Sequence, residues 1–292
     1  MFEIKKLMGK TSYYSAFSNV GIFEIGNGEV VLIDSCDHPR MMKGLDRLLG
    51  AKNLRVRTVI DTHCHVDHIA GNRYFYDKYA CRLLAPKGES FFVEYPSLEA
   101  EFYFAGIDTD KSRNPFFMVE PTVPEIITAE NTPEGLEIIS LPGHSFDMIG
   151  VRTSDDVVFL ADAILSKKTW DEHKLPFFHN VNESLQTLEK IKVMKGKLFV
   201  PAHDEPTADI AELAEYNIIK LKERKELFYN VCEGLTFEEI FAEMIEELDL
   251  HIVTAKYPTY AVMVRNFLQS LVDEKKIYAK LEDGIRLVYH RS

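Results

Sequence analysis

Cysteine is scarce in this chain, and its spacing argues against a disulfide-stabilised fold. The 292 residues contain four cysteines, and no two of them form a Cys-x-x-Cys pair. Small secreted domains that depend on disulfides carry denser and more regularly spaced cysteines. So sparse a set is typical of a reducing compartment, and we therefore expect a cytoplasmic protein. The four are Cys36, Cys64, Cys81 and Cys232.

Positive charge and long apolar stretches are also lacking. The formal net charge is −12, which argues against a broad surface for nucleic acid, because such binding depends largely on neutralising phosphates. No apolar run approaches the roughly 18 residues of a membrane span. Residues 1–14 are polar and lack the apolar core of a secretory signal. We therefore expect a small-molecule substrate as the partner, rather than nucleic acid or a membrane.

One stretch concentrates histidine and acid in a way that packing does not explain. Three imidazoles and a carboxylate fall within six positions, between a β-branched run at 56–60 and a helical pattern at 69–79. The donors therefore lie where a buried strand ends and a helix begins, the usual place for chemistry in an open α/β sheet. The first two are two positions apart, so their side chains leave an extended backbone on the same side. The four donors are His63, His65, Asp67 and His68.

Neutral imidazole and carboxylate groups together suit zinc and its neighbours. We therefore interpret the stretch as a metal site, in which Asp67 also gains from the dipole at the start of the helix. The alternative is a polar turn whose ring nitrogens cap backbone groups. Cys64 lies between two donors and should point away from them, as a small packing residue.

The motif His63-x-His65-x-Asp67-His68 resembles the signature of the metallo-β-lactamase-fold hydrolases, and the rest of that family's pattern recurs in order. Each further match lies beside a short apolar run that predicts a strand. The matching residues are Asp34 after 30–33, His144 within 141–145, Asp162 after 157–160 and His203 after 198–201. The resemblance covers about residues 10–210 and implies an α+β fold with four layers in the order αββα.

The resemblance also implies how the donors would share two divalent metal ions. A first ion would be held by His63, His65 and His144, a second by Asp67, His68 and His203, with Asp162 bridging the two. Zinc is the first choice, with iron and manganese left open. Asp34 would orient a ligating histidine without binding metal itself. Because flavodiiron proteins carry a carboxylate where His65 stands, redox chemistry is not expected.

A dinuclear site of this kind implies a reaction. Metal ions ~3.5–4 Å apart bind one hydroxide between them and lower its pKa toward neutrality. The resemblance therefore implies a hydrolase whose nucleophile is a metal-bridging hydroxide, with Asp67 in a second role, orienting the water. The ligand set is similar to that of the glyoxalase II group, so we expect a small ester-like substrate, with a thioester as the first choice. Two alternatives stay open: a phosphodiesterase or ribonuclease of the same fold, and a non-catalytic metal-binding regulatory protein.

Residues 88–128 interrupt the regular pattern between the first and second groups of donors. Their aromatic side chains alternate with prolines and acids, without a long clean period. One interpretation is an insertion that borders the site and forms an apolar substrate wall. The other is a helical hairpin buried on the core. The aromatic residues are Phe91, Phe92, Tyr95, Phe102, Tyr103, Phe104, Phe116 and Phe117.

The chain is long enough for two domains, and we predict a catalytic domain at 1–210 and a C-terminal helical domain at 211–292. In the second, a capping box at Thr236 and Glu239 predicts the start of a helix, and Asp283-Gly284 predicts the turn of a hairpin. Helices followed by a hairpin resemble a winged-helix module. This part contains 11 Lys and Arg against 15 Asp and Glu, so we favour a structural, substrate-flanking or dimerisation role, with a homodimer left open.

Overall fold

Two β-sheets packed face to face organise the residues that the structure describes, 3–104 and 119–292, in a computed structural model of the chain. The first sheet contains β1 (Ile4–Met8), β2 (Thr11–Tyr14), β3 (Val20–Gly26), β4 (Glu29–Ile33), β5 (Arg55–Ile60), β6 (Arg82–Ala85) and β7 (Glu125–Ile126). These strands lie side by side in chain order. The neighbours from β1 to β4 are antiparallel, and those from β4 to β7 are parallel.

The second sheet is smaller and mixed. It contains β8 (Leu136–Ser140), β9 (Ile149–Thr153), β10 (Val157–Ala161) and β11 (Leu198–Pro201). Its spatial order is β11-β10-β9-β8, with β11 parallel to β10 and the other neighbours antiparallel. The strands predicted before Asp34, Asp162 and His203 are confirmed as β4, β10 and β11.

Because its side chains alternate, one strand contributes to the buried cores on both faces of its sheet. In β4, Val31 and Ile33 point toward the second sheet and share a buried core with Phe159 of β10, whereas Leu32 packs on the opposite face. Successive side chains of a strand leave on opposite faces, so an apolar run without alternation is buried on both sides. Full burial of one such side chain contributes about 1.5–3 kcal/mol.

Helices cover the outer faces of both sheets. The first sheet is covered by α1 (Pro39–Ala51) and α3 (Asn72–Tyr79), and the second by α6 (Lys167–His173) and α7 (Val181–Lys192). Leu45 and Phe75 are buried against the first sheet, and Trp170 and Leu188 against the second. The layers therefore follow the order αββα, and the predicted fold class is confirmed.

The single helix predicted over 69–79 is wrong, because the chain forms two helices there. α2 (Val66–Ile69) ends before the chain reaches Gly71, and α3 begins one residue later. A Cβ atom at Gly71 would lie 1.9 Å from the backbone oxygen of Ser35. Only glycine permits so close an approach, and this contact turns the chain between the two helices.

The first two strands have no clear signal in the sequence. β1 is a partly exposed edge strand that contains Lys5 and Lys6. Charged side chains on an edge strand discourage pairing with other chains, but they also hide the alternation on which strand prediction depends.

The insertion predicted at 88–128 begins with two short helices. They are α4 (Lys87–Glu94) and α5 (Pro96–Phe104). Phe116 and Phe117, with the rest of 105–118, lie outside the described residues, and the chain rejoins the first sheet at β7. The described part is thus a helical pair, as the hairpin interpretation requires, and its second helix also reaches the histidine cluster described below.

The last part of the chain combines three long helices with a small sheet. Its elements are α8 (Ala211–Val231), β12 (Leu235–Thr236), α9 (Phe237–Glu247), α10 (Tyr257–Asp273), β13 (Ile277–Glu282) and β14 (Arg286–Arg291). The predicted capping box opens α9, and the predicted hairpin pairs β13 with β14. Phe228 of α8 stacks on Phe267 of α10 at 5.0 Å between ring centroids.

The core of these helices is continuous with that of the second sheet. Buried side chains of α8 and α10 belong to the same cluster as Leu160 of β10 and Leu188 of α7, and α10 also contacts α5. The division at residue 210 and the winged-helix assignment stay predictions. In the described ranges, no helix combines the length and the apolar character that crossing a bilayer requires.

Candidate metal centre

Loops and the short helix α2, at one end of the two sheets, carry all the predicted donors. Asp34 directly follows β4 and Asp162 directly follows β10. His63 and His203 come shortly after β5 and β11, and His144 lies between β8 and β9. Because β4 is parallel to β5 and β10 is parallel to β11, the residues that follow each pair of strands lie at the same edge of the sheet. This topology gathers residues that are far apart in the sequence.

Three histidines form the first donor group. Nδ1 of His65 lies 3.1 Å from Nε2 of His63 and 2.9 Å from Nε2 of His144. A carboxylate oxygen, Oδ2 of Asp162, lies 3.3 Å from the same His144 nitrogen. One ligand atom from each of these four residues lies within 4.8 Å of all the others. A single cation can therefore contact all four.

Two histidines and two carboxylates form the second donor group. Oδ2 of Asp67 lies 3.4 Å from Nε2 of His68 and 3.3 Å from Nε2 of His203. Oδ1 of Asp162 lies 3.6 Å and 3.3 Å from the same two nitrogens. Here too the ligand atoms lie within 4.8 Å of one another. Asp162 therefore presents one oxygen to each group.

In four of the histidines, the ring nitrogen that does not belong to a donor group faces a polar neighbour. This contact orients the other ring nitrogen toward its donor group. Nδ1 of His68 donates to Oδ2 of Asp34 at 2.8 Å, and Nδ1 of His203 donates to the backbone oxygen of Phe17 at 2.8 Å. The Thr62 hydroxyl donates to Asp34 at 3.0 Å. Because that proton is committed, the Thr62 oxygen accepts from Nδ1 of His63, also at 3.0 Å. The fourth, Nε2 of His65, lies 3.3 Å from Oε1 of Glu99.

Two buried atoms in the second group lack a hydrogen-bond partner among the described residues. They are Nε2 of His68 and Oδ1 of Asp162. Buried polar atoms in native proteins are nearly always satisfied, and these two lie 3.6 Å apart. A basic nitrogen and a carboxylate oxygen in this position are the donors that a divalent cation requires, so the residues present fit a bound metal ion.

The electrostatics of the two groups differ. Burial lowers the pKa of His65 to about 3 and also lowers the pKa values of His63 and His144. Burial opposes a charge on His203 as well, but the carboxylates of Asp162 and Asp67 raise its pKa to about 10. The first group is therefore a set of neutral imidazoles, whereas the second carries negative charge that attracts protons or metal.

Backbone strain accompanies the centre. Asp34 has φ +65° and Ala161, which precedes Asp162, has φ +49°. Left-handed backbone is uncommon for residues other than glycine, and such strain persists where the surrounding structure holds it in place. In this centre it aims two carboxylates, Asp34 and Asp162, at the histidines.

The structure brings together all seven predicted donors and Asp34, and it adds residues that sequence reasoning missed. The Ser18 hydroxyl donates to Oδ2 of Asp67 at 2.6 Å. Glu99, on α5, is fully buried beside His65. The sequence shows only an acid among the aromatic residues of the insertion. Because that segment has no clear helical period, the direction of the acid's side chain could not be predicted. Cys64 is buried among Ile69, Ala85 and Val93, as predicted.

Comparisons with known proteins agree with this geometry. The family model described as the Metallo-beta-lactamase superfamily matches residues 15–203. The Beta-lactamase-like protein 2 homolog of Drosophila melanogaster is 23% identical over 286 residues, which cover 94% of this chain and 89% of that protein.

Solved structures show the same fold at low sequence identity. A metallo-beta-lactamase family protein from Thermus thermophilus has a TM-score of 0.71 at 18% identity, covering 100% of this chain and 98% of its own. A metallo-beta-lactamase from Pontibacter korlensis has a TM-score of 0.59 at 14% identity, covering 76% of this chain and 99% of its own. The family match spans well over half of the chain and contains every donor of both groups. The chain therefore belongs to the metallo-β-lactamase superfamily of metal-dependent hydrolases.

Proposed function

We propose that the protein hydrolyses a small ester-like substrate, with a thioester as the first choice, by means of two zinc ions. The observation that carries the proposal is Asp162, whose two oxygens face two different donor groups. A carboxylate in this position suits a pair of cations better than a single one. Iron and manganese accept the same donors and are the alternatives to zinc.

The proposed ligands divide between the two groups. The first ion would contact His63, His65 and His144, the second Asp67, His68 and His203, and Asp162 would contact both. When bound, the ions supply Lewis acidity, lowering the pKa of water toward neutrality and polarising the carbonyl of the substrate.

Asp67 is the proposed catalytic carboxylate. Its side chain is 26% exposed, against 8% for Asp162, so it is the more accessible of the two acids to water. The hydrogen bond from Ser18 holds one of its oxygens in place. A fixed and partly exposed carboxylate can orient the attacking water and accept its proton.

A cleft of about 470 Å³ opens beside both donor groups and supports a small, partly apolar substrate. Its walls include Leu165, Leu175, Phe177 and Met263, and His144, Asp162 and His203 border it. Apolar walls with a few convergent polar groups are typical of small-molecule sites, and they suit the acyl part of an ester. Met263 belongs to α10, which supports the substrate-flanking role, one of the three predicted for the C-terminal part of the chain.

A substrate panel tests the proposal. Zinc-loaded protein is assayed on an acyl thioester, a lactone and a bis-phosphoester. We expect the thioester to give the highest kcat/KM, because the apolar walls receive its acyl group. Faster hydrolysis of the bis-phosphoester would favour the phosphodiesterase alternative, and inactivity on all three by protein with two bound ions would favour the regulatory one.

A further inference from the structure

Glu99 of α5 is a buried acid with no role in the proposed ligand set. Its exposure is 0%, and Oε1 lies 3.3 Å from Nε2 of His65. Neither oxygen accepts a hydrogen bond of ordinary geometry from the described part of the chain, and the neighbouring Cys64 thiol is only a weak donor. Burying a carboxyl group without a strong partner is costly, so the packing of α5 alone does not explain this residue.

We infer that Glu99 is a positioning residue for the first metal ion, acting through His65. The inference rests on the proposed dinuclear centre. When that centre holds its ion, the Glu99 carboxylate would accept a hydrogen bond from the Nε2–H of His65, which would keep Nδ1 unprotonated and aimed at the other nitrogens of the first donor group.

The proposed ion, together with the distances, assigns the tautomer of His65. A neutral imidazole carries its proton on one nitrogen only. Nδ1 is the atom that faces Nε2 of His63 and Nε2 of His144, at 3.1 and 2.9 Å, so an ion held by these three nitrogens would take its lone pair. The proton therefore resides on Nε2, and the atom facing Nε2 is a Glu99 oxygen. A carboxylate behind a ligating histidine fixes its orientation and makes the metal-facing nitrogen more basic.

A second buried acid, Glu89 of α4, fixes the insertion to the loops that carry the first donor group. It accepts hydrogen bonds from the Ser145 hydroxyl at 2.8 Å, the Asp147 backbone at 2.7 Å and the Cys64 backbone at 3.1 Å. Glu89 is thus fully satisfied by structural partners, whereas Glu99, ten residues later, has His65.

Aromatic packing holds α5 in place over the same histidines. The ring of Tyr103 meets the edge of Phe177 at 5.0 Å, and Phe177 in turn meets His65 at 5.4 Å and His144 at 5.8 Å. The helix α5 also contacts α10. The carboxylate behind His65 is therefore positioned by the insertion and the C-terminal part of the chain, outside the ligand motif.

Two substitutions separate a positioning role from a packing role. Glu99→Met keeps the volume and removes the carboxylate, whereas Glu99→Gln keeps an acceptor and removes the charge. The matched control is Glu101→Gln, an exposed acid on the same helix. For each variant, the melting temperature is measured on metal-free protein, and both zinc dissociation constants are measured by chelator competition.

For Glu99→Met we expect a melting temperature equal to or above that of the wild type, because a buried acid is replaced by an apolar side chain. We expect one of the two zinc dissociation constants to rise by about 10–100-fold while the other stays unchanged. Glu99→Gln should weaken the same constant by about tenfold or less, and the control should change neither quantity.

The inference would be overturned if both Glu99 variants bound both zinc ions as tightly as the wild type does. It would also be overturned if both sites bound zinc more weakly and the melting temperature fell, because that combination indicates a packing role. Glu99→Gln decides the matter if Glu99→Met does not fold. These readouts need no substrate. Wild-type protein that binds two ions but hydrolyses no ester would therefore remove the proposed function and leave the inference standing.

Discussion

The two donor groups share Asp162 but differ in charge and in support. The first contains three histidines whose pKa values burial lowers. The second adds Asp67, and there Asp162 and Asp67 together raise the pKa of His203 although burial opposes its charge. Coulombic attraction in a buried site is far stronger than in water, so the second group attracts a cation by charge. The first group depends instead on correctly oriented neutral nitrogens.

The outer partners of the groups differ in the same way. His68 of the second group is held by Asp34 at the end of β4, close to the strands that carry the ligands. His65 of the first group faces Glu99 from an insertion that packs on the C-terminal helix α10. The neutral histidines of the first group are therefore supported by parts of the chain that lie far from the ligand motif. A substitution in those parts can alter the first metal site without altering the second.

The largest expected effect comes from breaking the link between the groups. Asp162→Ala removes one oxygen from each, so both ions should bind more weakly. We expect kcat/KM to fall on the order of 10³-fold or more, since metal ions contribute several kcal/mol to stabilising the transition state. Metal analysis and ester hydrolysis check this. A rate within tenfold of the wild type would show that Asp162 is not a ligand shared by two ions.

Removing one histidine from each group compares the groups directly. In His144→Ala the first group should lose its ion and in His203→Ala the second, so bound metal should fall from about two to about one per chain. Turnover should be lost in both, with the fold intact by circular dichroism. Near-normal rates in His144→Ala would remove that residue from the first group.

A smaller effect is expected from Asp34→Asn, which tests the support of the second group. Asparagine tolerates the left-handed backbone at this position, so the change removes the charge and one acceptor oxygen behind His68. One zinc constant should weaken by about 10–100-fold, and it should be the one that Glu99→Met leaves unchanged. Asp77→Asn, an exposed acid on α3, is the control. If Asp34→Asn and Glu99→Met weakened binding of the same zinc ion, the two donor groups would not have separate supports.

An acid outside both groups shows what a purely structural carboxylate does. Asp46 of α1 accepts from the Tyr74 hydroxyl at 2.9 Å and the Tyr79 hydroxyl at 2.6 Å, and it pairs with Lys78. Burial opposes its charge, but these partners lower its pKa below the usual value. Its stabilising effect is therefore complete above the unfolded pKa of about 3.9 and is lost as the pH falls through the lower folded value.

Asp46→Asn should lower the free energy of unfolding by about 1–3 kcal/mol at neutral pH. The difference from the wild type should shrink below about pH 4, where the unfolded carboxyl protonates, and zinc binding should stay unchanged. Denaturant unfolding at several pH values measures this, and a deficit that grows on acidification would contradict the assigned direction of the pKa.

Residues close in sequence to a clear period or turn were predictable, whereas those placed by tertiary packing were not. The strand before Asp34, the capping box at Thr236 and the donors around His63 all have local signals. Glu99 has none, because its direction depends on the packing of α5 against α10, more than 150 residues later.

The break between α2 and α3 was missed for a related reason. It depends on the backbone of Ser35, a residue far from Gly71 in the sequence but in contact with it in the fold. A helical period records which side chains are apolar, and it contains no information about a neighbouring backbone.

The number of metal ions bound per chain tests the dinuclear centre most directly. Protein reconstituted with zinc and freed of loosely held metal should carry about two ions per chain. One ion, or none, in the reconstituted wild-type protein would contradict the proposal that Asp162 joins two occupied sites.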